Sequence, residues 1–143
     1  MKAEILAIGK CRDKAIIALV DEYLKRLQKK LPTTVVECKD EADLQAKLKQ
    51  NKSGISVILD ERGVQLSSRE LAQKIQDWEL AAAPVVQFAI GGADGHSAEV
   101  REQADFVLGI SNLVLPHMLV RVIIAEQIYR AVSLNSGHPY HRD

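Results

Sequence analysis

The run VVQFAI at residues 85–90 is the strongest constraint on the fold. Only Gln87 is polar, so the run has no face to turn to water, and such a strand belongs inside a sheet covered on both sides. ISVILD at 55–60 has the same character. KAEILAI at 2–8, TTVVEC at 33–38 and DFVLGI at 105–110 complete a set of short strands. Between them lie segments with helical periodicity. Residues 12–30 carry Ile16, Leu19, Val20, Tyr23, Leu24 and Leu27 as one stripe, stopped by Pro32. Residues 40–51 form a short charged helix with Leu44 and Leu48 on one face. Ser67 followed by Glu70 is a capping-box signature for a helix bearing Leu71, Ile75 and Trp78. A short helix starts near Ala98 and a long one spans about 117–134. This alternation predicts an α/β fold, a mostly parallel sheet with helices on both faces. No linker, repeat or low-complexity segment interrupts it, so one domain over 1–143 is expected.

The last helix is apolar nearly all the way round: Leu119, Val120, Val122, Ile123, Ile124, Ala125, Ile128, Tyr129, Ala131, Val132 and Leu134. In so small a domain it must pack on the sheet and on something else, and a homodimer is the expected partner surface.

Several function classes are disfavoured. Nineteen basic and nineteen acidic residues give zero formal charge, whereas a general nucleic-acid binder carries a basic excess; any RNA must be met by a local patch. Aromatic residues are 4% of the chain, too few for a base-stacking platform. Cys11 and Cys38 show neither C-x-x-C nor pairing spacing and read as reduced structural thiols. No ligand quartet has the usual metal spacing, so no metal is expected. No apolar run approaches the ~20 residues that span a bilayer, and the start is too short and acidic for a secretory signal; a cytoplasmic location is expected. G-x-x-x-x-G-K-[ST] and an early G-x-G-x-x-G are both missing, which argues against phosphate-cradling nucleotide enzymes.

In open α/β sheets ligands bind at the carboxyl ends of strands. Three successive strands here end in Leu59-Asp60-Glu61-Arg62-Gly63, Gly91-Gly92-Ala93-Asp94-Gly95 and Ile110-Ser111-Asn112-Leu113-Val114-Leu115. Gly91 and Gly92 allow close backbone approach, and the apolar third loop can cover a flat heterocycle. The terminus His138-Pro139-Tyr140-His141-Arg142-Asp143 gathers proton-accepting and phosphate-pairing side chains. His117 opens the last helix. Arg121, one turn on, needs an anionic partner: a carboxylate or RNA. Glu126 is a candidate, although i,i+5 spacing puts it off that face. His96 and Ser97 read as turn and N-cap residues.

With these residues in hand, the chain resembles the RlmH (YbeA-like) family of SPOUT methyltransferases. The likeness runs end to end through MKAEILAIGK, VILDERG, FAIGGADG, ISNLVLPHMLVR, AEQIYRA and HPYHRD. It implies a C-terminal trefoil knot, a homodimer with the last helix in its interface, and S-adenosylmethionine held by Leu59, Gly91, Ile110, Ser111, Asn112, Leu113, Val114 and Leu115. It implies as substrate N3 of a pseudouridine in the subunit-bridging stem-loop of 23S rRNA, met on the ribosome. On this basis His138 or His141 is expected to accept the N3 proton, with Tyr140 and Arg142 holding RNA at the partner's cofactor; His117 and Arg121 are further substrate-binding candidates. One departure from the family is a shorter segment between Cys38 and Ile55, which removes potential RNA contacts. Two other readings stand beside this one: a related enzyme acting on another rRNA or tRNA position, and a non-catalytic ribosome-associated or small-ligand-binding module. The HPYHR tail argues against the module.

Overall fold

The computed structural model describes residues 1–140. Among them, five strands form one sheet in the order β2-β1-β4-β3-β5, every neighbouring pair parallel. The strands are β1 (Lys2–Ile8), β2 (Thr33–Cys38), β3 (Ile55–Gln65), β4 (Val85–Ile90) and β5 (Phe106–Gly109). VVQFAI is β4, with β1 and β3 on its flanks and all six residues buried. Its polar exception is satisfied by a neighbour: Gln87 lies beside Glu4 in register and its Nε2 donates to Glu4 Oε1 at 2.8 Å.

The helices are α1 (Lys14–Leu27), α2 (Glu41–Gln50), α3 (Ser68–Leu80), α4 (Ala98–Gln103) and α5 (His117–Ser136). Local chemistry sets several of their ends. Asp13 Oδ1 accepts from the Ala15 and Ile16 amides, and Asp40 Oδ1 accepts from the Asp43 amide. The expected capping box is present in both directions, Glu70 N to Ser67 Oγ at 3.1 Å and Ser67 N to Glu70 Oε1 at 2.9 Å. Gly137 closes α5 in the left-handed conformation, φ 71°, with the His138 amide reaching back to Ser133 O.

Successive strand residues point to opposite faces and divide the core. Ile5, Val57 and Phe88 pack under α1, α3 and α5 with Leu27, Ile75, Ile124 and Ile128. Leu6, Ile58 and Ala89 pack on the other face with Leu44 of α2 and Val100 of α4. α5 lies against both α1 and α3. Its outward side stays apolar: Leu119 is 46% exposed, and Met118, Val122 and Ile123 are half-buried.

β3 extends five residues past the ISVILD run. It pairs with β5 up to Leu59↔Leu108, loops out over 60–63, and resumes at Val64↔Leu108. Gly63 makes that crossing feasible. A Cβ there would lie 2.6 Å from the Leu108 carbonyl carbon and 2.7 Å from the Gly109 nitrogen, so the loop passes against the β5 backbone.

Candidate functional site

The connections leaving β3 and β4 run in opposite directions across the sheet, since β4 and β5 lie on either side of β3. That is a topological switch point, where an open sheet leaves a crevice. At its carboxyl edge, Leu59, Ile90 and Leu108 sit in register. The crevice is a cavity of about 360 Å³ lined by all three strand-end loops. That size falls within the usual range for small-molecule sites.

The floor is Leu59, Ile90 and Gly91. Gly91 has no room for a side chain: a Cβ would meet the Gly95 carbonyl carbon at 2.8 Å and the His96 nitrogen at 3.1 Å. One wall is apolar, formed by Ile110, Leu113, Val114, Leu115 and Val120. Leu113 and Val114 are 75% and 85% exposed, apolar surface left uncovered by the described residues. Ser111 is also on the wall, its Oγ accepting the Leu113 amide at 2.9 Å and tightening the turn. Asn112 departs from its expected place. It is not part of the lining, and its Oδ1 accepts from Gln65 Nε2 at 3.4 Å.

The opposite rim is polar and went unselected in the sequence beyond its loop. Asp60, Glu61, Arg62 and Asp94 line the cavity. The Asp60 side chain is only 4% exposed and is held by Arg62 Nε at 3.0 Å, with Arg101 Nη1 at 3.7 Å. Burial pushes its carboxyl up, but the Arg62 hydrogen bonds and the two positive charges outweigh that and hold it below the usual carboxylate range.

His117 lines the mouth, as its place at the start of α5 suggested. Arg121 does not. Its side chain is 4% exposed and turned inward, with Nη1 on Glu37 Oε2 at 2.6 Å and Nη2 on the Gly9 carbonyl at 2.9 Å. The Cys11 amide also donates to that Glu37 oxygen, at 2.7 Å. The carboxylate that meets Arg121 is therefore Glu37 of β2, not Glu126. Glu126 instead pairs with Arg130 at 2.6 Å.

The tail docks elsewhere. The Tyr140 ring packs edge-on against Tyr129 with centroids 4.7 Å apart. Its hydroxyl donates to Glu126 Oε1 at 3.1 Å and meets the Tyr23 hydroxyl at 3.4 Å. The hydroxyl is thus engaged within this chain, away from the cavity. Burial first, then Tyr23 and Glu126, raise its pKa well above the ordinary tyrosine value. The His138 side chain is exposed, and its Nδ1 accepts the Tyr140 amide at 3.3 Å. His141 and Arg142 lie outside the described residues. α5 carries the chain about 30 Å from the cavity mouth. Among the described residues of the tail, Tyr140 reaches back to Glu126, about two and a half turns short of His117.

Likenesses to known proteins point one way. A family model described as "Predicted SPOUT methyltransferase" matches residues 1–141. The chain is 37% identical over 156 aligned positions, covering 99% of both sequences, to a protein of Ruegeria sp. named ribosomal RNA large subunit methyltransferase H. A probable methylase family protein from Haemophilus influenzae shares the fold at a TM-score of 0.61 with 13% identity, over 99% of this chain and 70% of the other. The methyltransferase Lpg2936 of Legionella pneumophila, solved with bound SAM, does so at 0.51 with 11% identity, over 94% and 66%. The parallel sheet, the cavity at its switch point and a full-length match agree: the chain belongs to the SPOUT methyltransferase family.

Proposed function

We propose that this protein is an S-adenosylmethionine-dependent methyltransferase of large-subunit ribosomal RNA, acting as a homodimer on N3 of a pseudouridine in the subunit-bridging stem-loop of 23S rRNA. The observation that carries this reading is the cavity: three loops converge on one crevice, glycine backbone on one side and uncovered apolar side chains on the other. Those residues suit an adenosyl group. Leu113, Val114 and Leu115 would shield the heterocycle, and backbone at Gly91 and in the 110–115 loop would meet its polar edge. When bound, the cofactor supplies a methyl group on a positively charged sulfur, ready for in-line displacement.

The remaining tasks are positional and acid–base. N3 of the base is a weakly acidic imide and must lose its proton as the methyl group arrives. None of residues 137–140 lines the cavity of their own chain. In this reading the tail serves the partner's cofactor site, which antiparallel pairing of two α5 helices would allow. The uncovered face of Leu119, Met118, Val122 and Ile123 supports that pairing. In this arrangement Tyr140 anchors the tail and Arg142 holds rRNA phosphate. His138, whose Nδ1 accepts the Tyr140 amide, or His141 accepts the proton. His117, at the cavity mouth, faces the incoming RNA. The same family reading carries with it a threaded, knotted path for the C-terminal segment. A substrate met on the ribosome would be reached in the cytoplasm.

Subunit mixing tests this. Chains lacking residues 141–143 and chains carrying Gly91→Val are each expected to be inactive in methyl transfer to ribosomes. Mixed dimers should regain activity through the site that combines an intact cavity with an intact tail. Failure of the mixture, with both variants folded and dimeric, would overturn the shared site.

A further inference from the structure

We propose that His96 is a positioning residue that clasps the Gly91–Gly95 loop into the shape the cofactor site needs, with Glu41 as its anchor. The inference rests on the cofactor reading of the cavity. Three of the five residues in that loop are glycines, so its backbone has unusual freedom to lose, yet it forms the floor and one side of the site. Its two ends touch, Gly91 against Gly95 and the His96 nitrogen, and the Gly95 amide donates to Gly92 O at 2.9 Å.

His96 follows directly and turns back under the loop, its side chain wholly buried. Nε2 is 3.0 Å from the Ala89 carbonyl oxygen, so the ring ties the residue after the loop to the strand that enters it. A carbonyl can only accept, which places a proton on Nε2. Nδ1 is 3.2 Å from Glu41 Oε1, so the other side of the ring meets the first turn of α2. The same carboxylate oxygen accepts the Ser97 amide at 3.3 Å, while Oε2 is buried with no hydrogen-bond partner among the described residues. Arg101 extends the clasp sideways: Nη1 donates to the His96 carbonyl at 2.7 Å and lies 3.7 Å from Asp60 in the neighbouring loop. The ring thus joins β4 to the first turn of α2, while Arg101 links the His96 backbone carbonyl to Asp60 in the neighbouring loop. A turn residue would not need burial or two satisfied ring nitrogens.

The test compares wild type with His96→Phe, which keeps bulk and loses both hydrogen bonds. His96→Gln serves as a second variant because it can keep the donor to Ala89. In His96→Phe, amide hydrogen exchange at residues 91–97 should accelerate at least about tenfold while α1, α3 and α5 exchange as before. KM for S-adenosylmethionine should rise about tenfold with kcat within about twofold, and His96→Gln should fall between the two proteins. Glu41→Gln, which can still hydrogen-bond the ring, should restore most of the affinity lost in Glu41→Leu. Unchanged exchange at 91–97 in both His96 variants overturns the clasp, whatever the ligand of the cavity is. A uniform rise in exchange across the molecule, with KM unchanged, also overturns it, since that is an ordinary core defect. Faster exchange confined to the loop, in a protein whose wild type binds no S-adenosylmethionine, would uphold the clasp and refute the cofactor reading alone.

Discussion

Replacing Arg121 by methionine separates two accounts of one residue. The guanidinium is buried and bridges Glu37 on β2 to the Gly9 carbonyl at the end of β1, so it ties α5 to two strands. Removing one member of a fully buried pair costs about 3–5 kcal/mol, because a charge is left without compensation. Glu37 is milder: its side chain is 37% exposed and keeps the Cys11 amide, so water relieves part of the penalty. The Gly9 carbonyl loses its donor, about 1 kcal/mol more. Together the expected destabilisation is about 2–4 kcal/mol, a fall in Tm of roughly 4–16 °C for a chain of this size. Thermal unfolding by circular dichroism reads it directly. With Glu37→Met added, the double variant should lose about 1–2 kcal/mol less than the sum of the singles, since no unpaired charge remains. An Arg121→Met protein that melts like wild type yet loses rRNA methylation would refute this reasoning and put the guanidinium at the RNA.

Three other outcomes are expected. Val114→Asp should weaken S-adenosylmethionine binding at least about tenfold in calorimetry while leaving Tm unchanged, because the side chain is exposed and touches the site alone. Wild type should sediment as a dimer and Leu119→Lys combined with Ile123→Lys as a monomer, since the charges fall on the outward apolar side of α5. In a spectrophotometric pH titration one of the three tyrosines should ionise well above the ordinary value of about 10, and Tyr140→Phe should remove that step. Because the folded-state pKa is raised, the Tyr140 contribution to stability is complete below about pH 10 and is lost as pH climbs through the raised value.

Elements whose signal is local were legible in the sequence. The doubly apolar runs became strands, the Ser67–Glu70 pair became a capping box, and Pro32 follows the end of α1. The three strand-end loops could be brought to one edge because parallel strands release their carboxyl ends on the same side. What the sequence hid depends on partners far along the chain. The return of Val64 and Gln65 to pairing is decided by β5, more than forty residues later. The partner of Arg121 is 84 residues upstream, so no helical spacing could point to Glu37. His96 looked like a turn residue because the carboxylate that meets its ring, Glu41, lies 55 residues away. Asn112 belongs to the apolar loop by position, but Gln65 draws its side chain off the cavity. The engagement of Tyr140 with Tyr23 and Glu126 joins three segments, and no motif in any one of them announces it.

The most direct measurement is transfer of a labelled methyl group from S-adenosylmethionine to ribosomes from a strain lacking the modification, with the labelled nucleotide located by nuclease mapping and mass spectrometry. The account predicts label on N3 of a pseudouridine in the bridging stem-loop of 23S rRNA, lost when residues 141–143 are removed although the cofactor still binds. Label on another rRNA or tRNA position, or cofactor binding without any transfer to ribosomes, would contradict it.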